Sequence, residues 1–295
     1  MPKMTKADTD IFLVFQMGKV ASRSWLKLLQ ATIPDSEIIH FHIISEYRAA
    51  RVKRLIKMQG KSQTVKHMTK NIHFGRPPEE IQPFIVNGNW VGPKTRIIAG
   101  VRDPVARAIS AVGFQCNRLG YTRFGVTPRD GGTAENLIEI FYRALRVAQS
   151  NNDVEDDSLV SHLARVMTNF NSWFKEELTP AFGVDISNTS FNRETRCLLL
   201  NGKHSLFVYR VEDLFDKEAE QRLLNSASDF IGQHVTSIPQ DDVSGEKRYQ
   251  SLYSDFVKKI RLSDSDLAWF YRNDVVSTFY TPEEVEGFMS RWGHH

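Results

Sequence analysis

The stretch Ile11-Phe12-Leu13-Val14-Phe15-Gln16-Met17-Gly18-Lys19-Val20-Ala21-Ser22-Arg23-Ser24-Trp25 decides the fold. Its first five residues form a short, continuously apolar run, as expected of a strand buried on both faces of a parallel sheet. Gln16 to Ser24 interrupts the run, and Ala21, Trp25, Leu28 and Leu29 then recur at helical spacing. The unit is strand, loop, helix.

Glu37 to Ile43 (EIIHFHI) predicts a second strand and Thr95 to Val101 (TRIIAGV) a third, which ends at Arg102, Asp103 and Pro104. Another helix should follow, since Asp103 can cap its N-terminus and proline suits the first helical position. Leu159, Leu163, Val166, Met167, Phe170, Trp173 and Leu178 mark a long amphipathic helix. Thr195 to Leu200 and Leu206 to Val211 predict two more strands. From Asp213 onward the pattern is largely helical, with a polar break near Gln240 to Lys247. Alternating strands and helices point to an α/β fold: a P-loop-like parallel sheet flanked by helices, with a largely helical C-terminal part. A single domain spanning 1–295 is expected, interrupted by a helical insertion at 45–94 that is longer than the usual connection.

Composition narrows the classes. Hydrophobic residues make up 41% and charged residues 25% of the 295, which excludes a disordered or fibrous chain. The 38 basic residues are nearly matched by 35 acidic ones, so nothing favours a nucleic-acid partner and any anion site must be local. Cys116 and Cys197 stand far apart, without zinc-ligand spacing, which suggests no metal and a reducing, cytoplasmic setting. No apolar run is long enough for a membrane span. From Tyr47 to Lys70 there are eight Lys or Arg residues and no carboxylate. That run is either a solvated helix face or a platform for an anionic acceptor.

Two of the three strand ends carry anion-binding equipment. After the first strand, Gly18 permits close backbone approach, Lys19 supplies a point charge, and Ser22 and Ser24 supply hydroxyls where a new helix leaves N–H groups unsatisfied. A plain turn is the bland alternative. A nucleoside-triphosphatase P-loop requires Gly at position 13 and Ser or Thr at position 20, where this chain has Leu13 and Val20. After the third strand, Arg102 offers a fork that matches phosphate geometry, with Arg107 and Ser110 on one face of the helix beyond; an Arg102–carboxylate pair is the alternative. Anion sites at adjacent strand ends call for a ligand with phosphates at both its 5′ and 3′ positions, as in 3′-phosphoadenosine 5′-phosphosulfate (PAPS). The second strand ends in His40 and His42, which share a face.

Lys19-Val20-Ala21-Ser22-Arg23-Ser24-Trp25 resembles the 5′-phosphosulfate loop of PAPS-dependent sulfotransferases, especially the Lys-Thr-Ala-Ser-Thr-Ser form of glycan 2-O-sulfotransferases. Val101-Arg102-Asp103-Pro104-Val105-Ala106-Arg107-Ala108-Ile109-Ser110 resembles their 3′-phosphate motif. Ile39-His40-Phe41-His42 is similar to their His-x-His, where a histidine is the catalytic base. Tyr209-Arg210-Val211-Glu212-Asp213-Leu214 resembles their late strand-to-helix turn. Asn169-Phe170-Asn171-Ser172-Trp173-Phe174 and Phe279-Tyr280-Thr281-Pro282-Glu283-Glu284 resemble a bacterial branch described as capsular polysaccharide synthesis proteins.

The resemblance implies in-line sulfuryl transfer from PAPS as co-substrate to an acceptor hydroxyl, without metal. Gly18, Lys19, Val20, Ala21, Ser22, Arg23, Ser24, Arg102 and Ser110 would bind PAPS. Lys19 would face the bridging oxygen, with Ser22 or Ser24 tuning it, and His42 or His40 would act as base. The chain departs from the family at Val20, where many members have a hydroxyl, and in lacking the late Arg-Lys-Gly signature, for which Lys247 and Arg248 are candidate substitutes. A polyanionic glycan, a small alcohol and a lipid headgroup all remain open as acceptors. The competing classes are a P-loop-like nucleotide kinase and a non-catalytic nucleotide- or glycan-binding protein.

Overall fold

The computed structural model describes residues 11–44, 84–87, 89–124, 132–150, 158–239 and 250–294. Strand β1 (Ile11–Phe15), helix α1 (Ser22–Thr32) and strand β2 (Glu37–Phe41) form in the expected order. The described end of the insertion is a small antiparallel ribbon, β3 (Ile85–Val86) with β4 (Asn89–Trp90), where helix was expected. The rest of the insertion, with its basic run, lies outside the described residues. Strand β5 (Thr95–Val101) leads through Asp103 into α2 (Pro104–Leu119). Helices α3 (Ala134–Gln149) and α4 (Leu159–Trp173) follow. The last continues as a π-helical turn, Phe174–Leu178, and a short α5, Thr179–Phe182.

Strands β6 (Cys197–Leu200) and β7 (Ser205–Arg210) complete the sheet. The C-terminal part is helical: α6 (Lys217–Ile231), α7 (Gln250–Lys259), α8 (Asp264–Tyr271), α9 (Asp274–Phe279) and α10 (Pro282–Trp292).

The sheet order is β2-β1-β5-β7-β6. The first four strands are parallel, and β6 runs antiparallel to β7. All five residues of β1 are buried, which fits a central strand covered on both faces. Val14, Ile98 and Phe207 are in register and face one side, where Trp25 packs on Phe207 and Tyr209, and Phe230 packs on Phe207. Phe15 and Phe41 face the other, stacked on each other and covered by Trp173 and Phe182. Each fully buried aromatic of this kind contributes on the order of 2 kcal/mol, so these two clusters fix which helix covers which face.

The order also locates a crevice. The chain moves from β1 outward to β2, then returns to add β5 on the other side of β1. Strand order therefore reverses between β1 and β5, and ligands of such sheets bind at that reversal, beyond the strands' carboxyl ends. No helix among the described residues is long and apolar enough to cross a membrane.

Candidate functional site

The loop after β1 is tightly built. Lys19 (φ 72°) and Ala21 (φ 60°) both adopt left-handed backbone. The left-handed positions of the loop thus fall on two non-glycine residues. Such residues each cost on the order of 1–2 kcal/mol and persist where the surroundings over-determine them, often at ligand clamps. Gly18, expected to permit close backbone approach, faces open space: a Cβ added there would meet nothing within 4 Å. Met17 and Val20 are buried. The Val20 side chain belongs to the core, so only its backbone remains available to a ligand, and the missing hydroxyl is explained by packing.

Helix α1 begins at Ser22 with no side-chain cap and no acid in its first turn. The other described helices of eight or more residues with a described N-cap, α2, α3, α4, α6, α8 and α10, are all capped by a side chain. Among these helices α1, which follows the carboxyl end of β1, is thus the one that starts without a side-chain cap, with the positive end of its dipole there. Ser22 is half-buried, Arg23 exposed and Ser24 buried. The Lys19 ammonium sits 4.2 Å from the centre of the Phe114 ring on α2.

Arg102 comes from the neighbouring strand end, with Nη1 3.5 Å from the Lys19 carbonyl oxygen. Among the described residues no carboxylate lies within ion-pair distance of it. Ser110, half-buried, lies farther along α2. Arg107, placed on one face with Ser110 by its spacing, is engaged by backbone carbonyls. It is buried, donating from Nε to the Gly18 carbonyl at 3.0 Å and from Nη1 to the Val166 carbonyl at 2.8 Å. It is a clamp on the first loop.

His42 lies just past β2, beside His40 with ring centres 4.7 Å apart. Its Nδ1 is 2.7 Å from the Gln16 carbonyl oxygen. A carbonyl can only accept, so Nδ1 carries the proton and, in the neutral ring, Nε2 keeps the lone pair of a base.

Several residues that support the site carried no functional assignment in the sequence. The buried Tyr209 hydroxyl contacts the Val20 carbonyl and lies 3.0 Å from the Gln16 side-chain amide. Its single proton goes to the carbonyl. The Gln16 amide is therefore best satisfied with its N–H₂ turned to the hydroxyl, which also relieves a nitrogen otherwise buried without a partner. Gly100 makes room for this contact, since a Cβ there would fall 2.6 Å from Tyr209 and 2.8 Å from Gln16.

The Arg102 turn is braced from below. The Asp103 carboxylate accepts from Val105 N–H (3.0 Å), the Tyr271 hydroxyl (2.7 Å) and the Trp292 indole (2.7 Å). Glu212 accepts from the Asp103 N–H (2.8 Å) and the Tyr280 hydroxyl (2.9 Å). Burial raises both carboxyls above their ordinary range, and proximity to Asp103 pushes Glu212 further up. Arg210 grips Asp213 at two points (2.9 and 2.6 Å) and Glu284 at 2.7 Å. The two late segments noted in the sequence, around 209–214 and 279–284, are thus struts under the β5 turn.

The structure therefore brings Gly18, Lys19, Ala21, Ser22, Arg102 and His42 to one rim. Lys247 and Arg248 lie outside the described residues. Comparison with protein-family models, curated proteins and solved structures found no match.

Proposed function

We propose that the chain is a PAPS-dependent sulfotransferase that moves a sulfuryl group to an acceptor hydroxyl. One observation carries this reading: the Arg102 guanidinium lies 3.5 Å from the Lys19 carbonyl, so the two motif loops meet at the β1/β5 reversal. An adenosine bearing 5′ and 3′ anionic groups matches two cationic loops set side by side, with the uncapped start of α1 and the open space over Gly18 on the 5′ side.

In the reaction so read, the acceptor oxygen forms a bond to sulfur as the bond from sulfur to the bridging oxygen of the 5′-phosphate breaks, releasing 3′-phosphoadenosine 5′-phosphate. The acceptor proton passes to Nε2 of His42, whose tautomer is set by Gln16. Lys19 stabilises charge on the departing oxygen. Arg102 and Ser110 hold the 3′-phosphate. A nucleotide kinase fits less well, because position 20, where a magnesium-holding hydroxyl would stand, is the buried Val20. A glycan or other acidic acceptor is favoured by the basic run in the insertion alone. One domain and a cytoplasmic setting suit the five-stranded mixed sheet and the free, buried thiols of Cys116 and Cys197.

The test is release of 3′-phosphoadenosine 5′-phosphate from PAPS on addition of a panel of hydroxylated acceptors. Acceptor-dependent release that is lost in Lys19→Ala supports the reading, and ATP hydrolysis requiring magnesium, with no release from PAPS, contradicts it.

A further inference from the structure

Trp173 and Glu177 lie one turn apart where α4 passes into the π-helical turn, and both reach the segment that carries His42. The Trp173 indole N–H donates to the His42 carbonyl at 3.3 Å. The Ile44 N–H donates to Oε2 of Glu177 at 2.7 Å. Neither partner is a surface group: Trp173 is 1% exposed and Glu177 is fully buried. A buried carboxylate is expensive unless its oxygens are hydrogen-bonded, so one that spends a bond on a backbone N–H just past a strand end fixes that backbone firmly. π-Helical turns, which are rare, occur frequently at functional sites.

We infer that Trp173 and Glu177 are positioning residues for His42, bracketing His42-Ile43-Ile44 at its first carbonyl and its last N–H while the Gln16 carbonyl holds the ring. The inference rests on the reading of His42 as the base. Two backbone anchors fix where the Cα of His42 sits, and the third contact fixes ring rotation and tautomer. The lone pair on Nε2 is then presented in one direction. The Trp173 ring also packs on Phe15 and Phe174. Phenylalanine at 173 would keep an aromatic ring in this cluster while removing the N–H donor together with part of the buried ring volume.

The test uses the full chain and two readouts: the ¹⁵N resonances of the His42 imidazole, assigned by their loss in His42→Gln, and transfer kinetics. In wild type His42 should be the Nδ1–H tautomer. In Trp173→Phe and Glu177→Leu the resonances should move to a mixture of tautomers. The kcat should fall about tenfold to hundredfold, the scale of a misplaced catalytic group, with unchanged affinity for 3′-phosphoadenosine 5′-phosphate. Glu177→Gln, whose amide oxygen can still accept from Ile44, should retain the tautomer and most of the rate. Unchanged His42 resonances in both loss variants would overturn the inference, as would a fall in nucleotide affinity in step with kcat. Should Glu177→Leu not fold, Trp173→Phe decides. If wild type neither binds the bisphosphate nor transfers, the functional reading fails, while the tautomer measurement on the nucleotide-free chain still judges the positioning claim.

Discussion

The Arg107 guanidinium reaches from α2 to the Gly18 carbonyl, 3.0 Å from its Nε, and so ties the loop after β1 to the helix after β5. Its other arm holds the Val166 carbonyl at 2.8 Å, which adds α4 to the same knot. Three elements that meet at the crevice are thus set relative to one another by one buried cation.

Arg107→Ala should therefore cost stability out of proportion to its area. Hydrogen bonds to charged groups contribute about 1.5–3 kcal/mol each, and the variant removes two of them, so a loss of about 3 kcal/mol or more is expected in urea unfolding. Lysine should recover little, because it lacks the fork that reaches two carbonyls at once. A change below about 1 kcal/mol would remove the clamp role.

The Asp103–Glu212 pair makes a signed prediction about pH. Both carboxyls titrate above their ordinary values of 3.8 and 4.5 in the folded chain, chiefly through burial. Between those values and the raised native ones, the folded chain holds more protons than the unfolded one. The contribution of the pair is then complete at acid pH and declines as pH rises through the native values. Glu212→Gln keeps an acceptor for the Asp103 N–H and removes one of two neighbouring carboxyl groups that can carry charge. Its melting temperature, relative to wild type, should rise with pH across that window. A flat difference curve would show that the two carboxyls do not share the strain.

Lys19 and His42 should separate chemistry from folding. Lys19→Ala removes a side chain that lies against Phe114, outside the core. Transfer should drop by about a hundredfold to a thousandfold, as for loss of a group aimed at developing charge. His42→Ala should lower transfer by about a hundredfold or more, the range for general-base removal. Circular-dichroism melts of both should stay close to wild type. Unchanged turnover in His42→Ala would assign the base elsewhere, with His40, 4.7 Å away between ring centres, as the next candidate.

The strands were legible because burial on both faces writes continuous apolar runs: β1 and β5 fall at the residues expected, and β2 stops at Phe41 instead of Ile43. β6 and β7 came within two residues at each end. The direction of β6 was not legible, since an edge strand reads the same either way. The charged and hydroxyl-bearing residues at the rim were legible as types. What each one touches was not: Arg107 looks like a ligand until its burial is known, and Val20 looks like a lost contact until its side chain is found in the core. Gln16, Tyr209, Trp173 and Glu177 act through long-range contacts that no local pattern encodes. The faint signals were Gln16 closing an apolar run, and Trp173 and Tyr209 falling inside segments already singled out by resemblance.

The proposed function requires the two cationic loops flanking the β1/β5 crevice to grip both ends of one doubly phosphorylated adenosine. The direct measurement is the melting temperature of the chain with saturating 3′-phosphoadenosine 5′-phosphate, AMP or ATP, in wild type and Arg102→Ala, since a ligand that binds only the folded chain stabilises it by mass action. The bisphosphate should stabilise wild type most, and Arg102→Ala should erase its advantage over AMP. Equal stabilisation of wild type by the bisphosphate and AMP would rule out a 3′-phosphate site at Arg102.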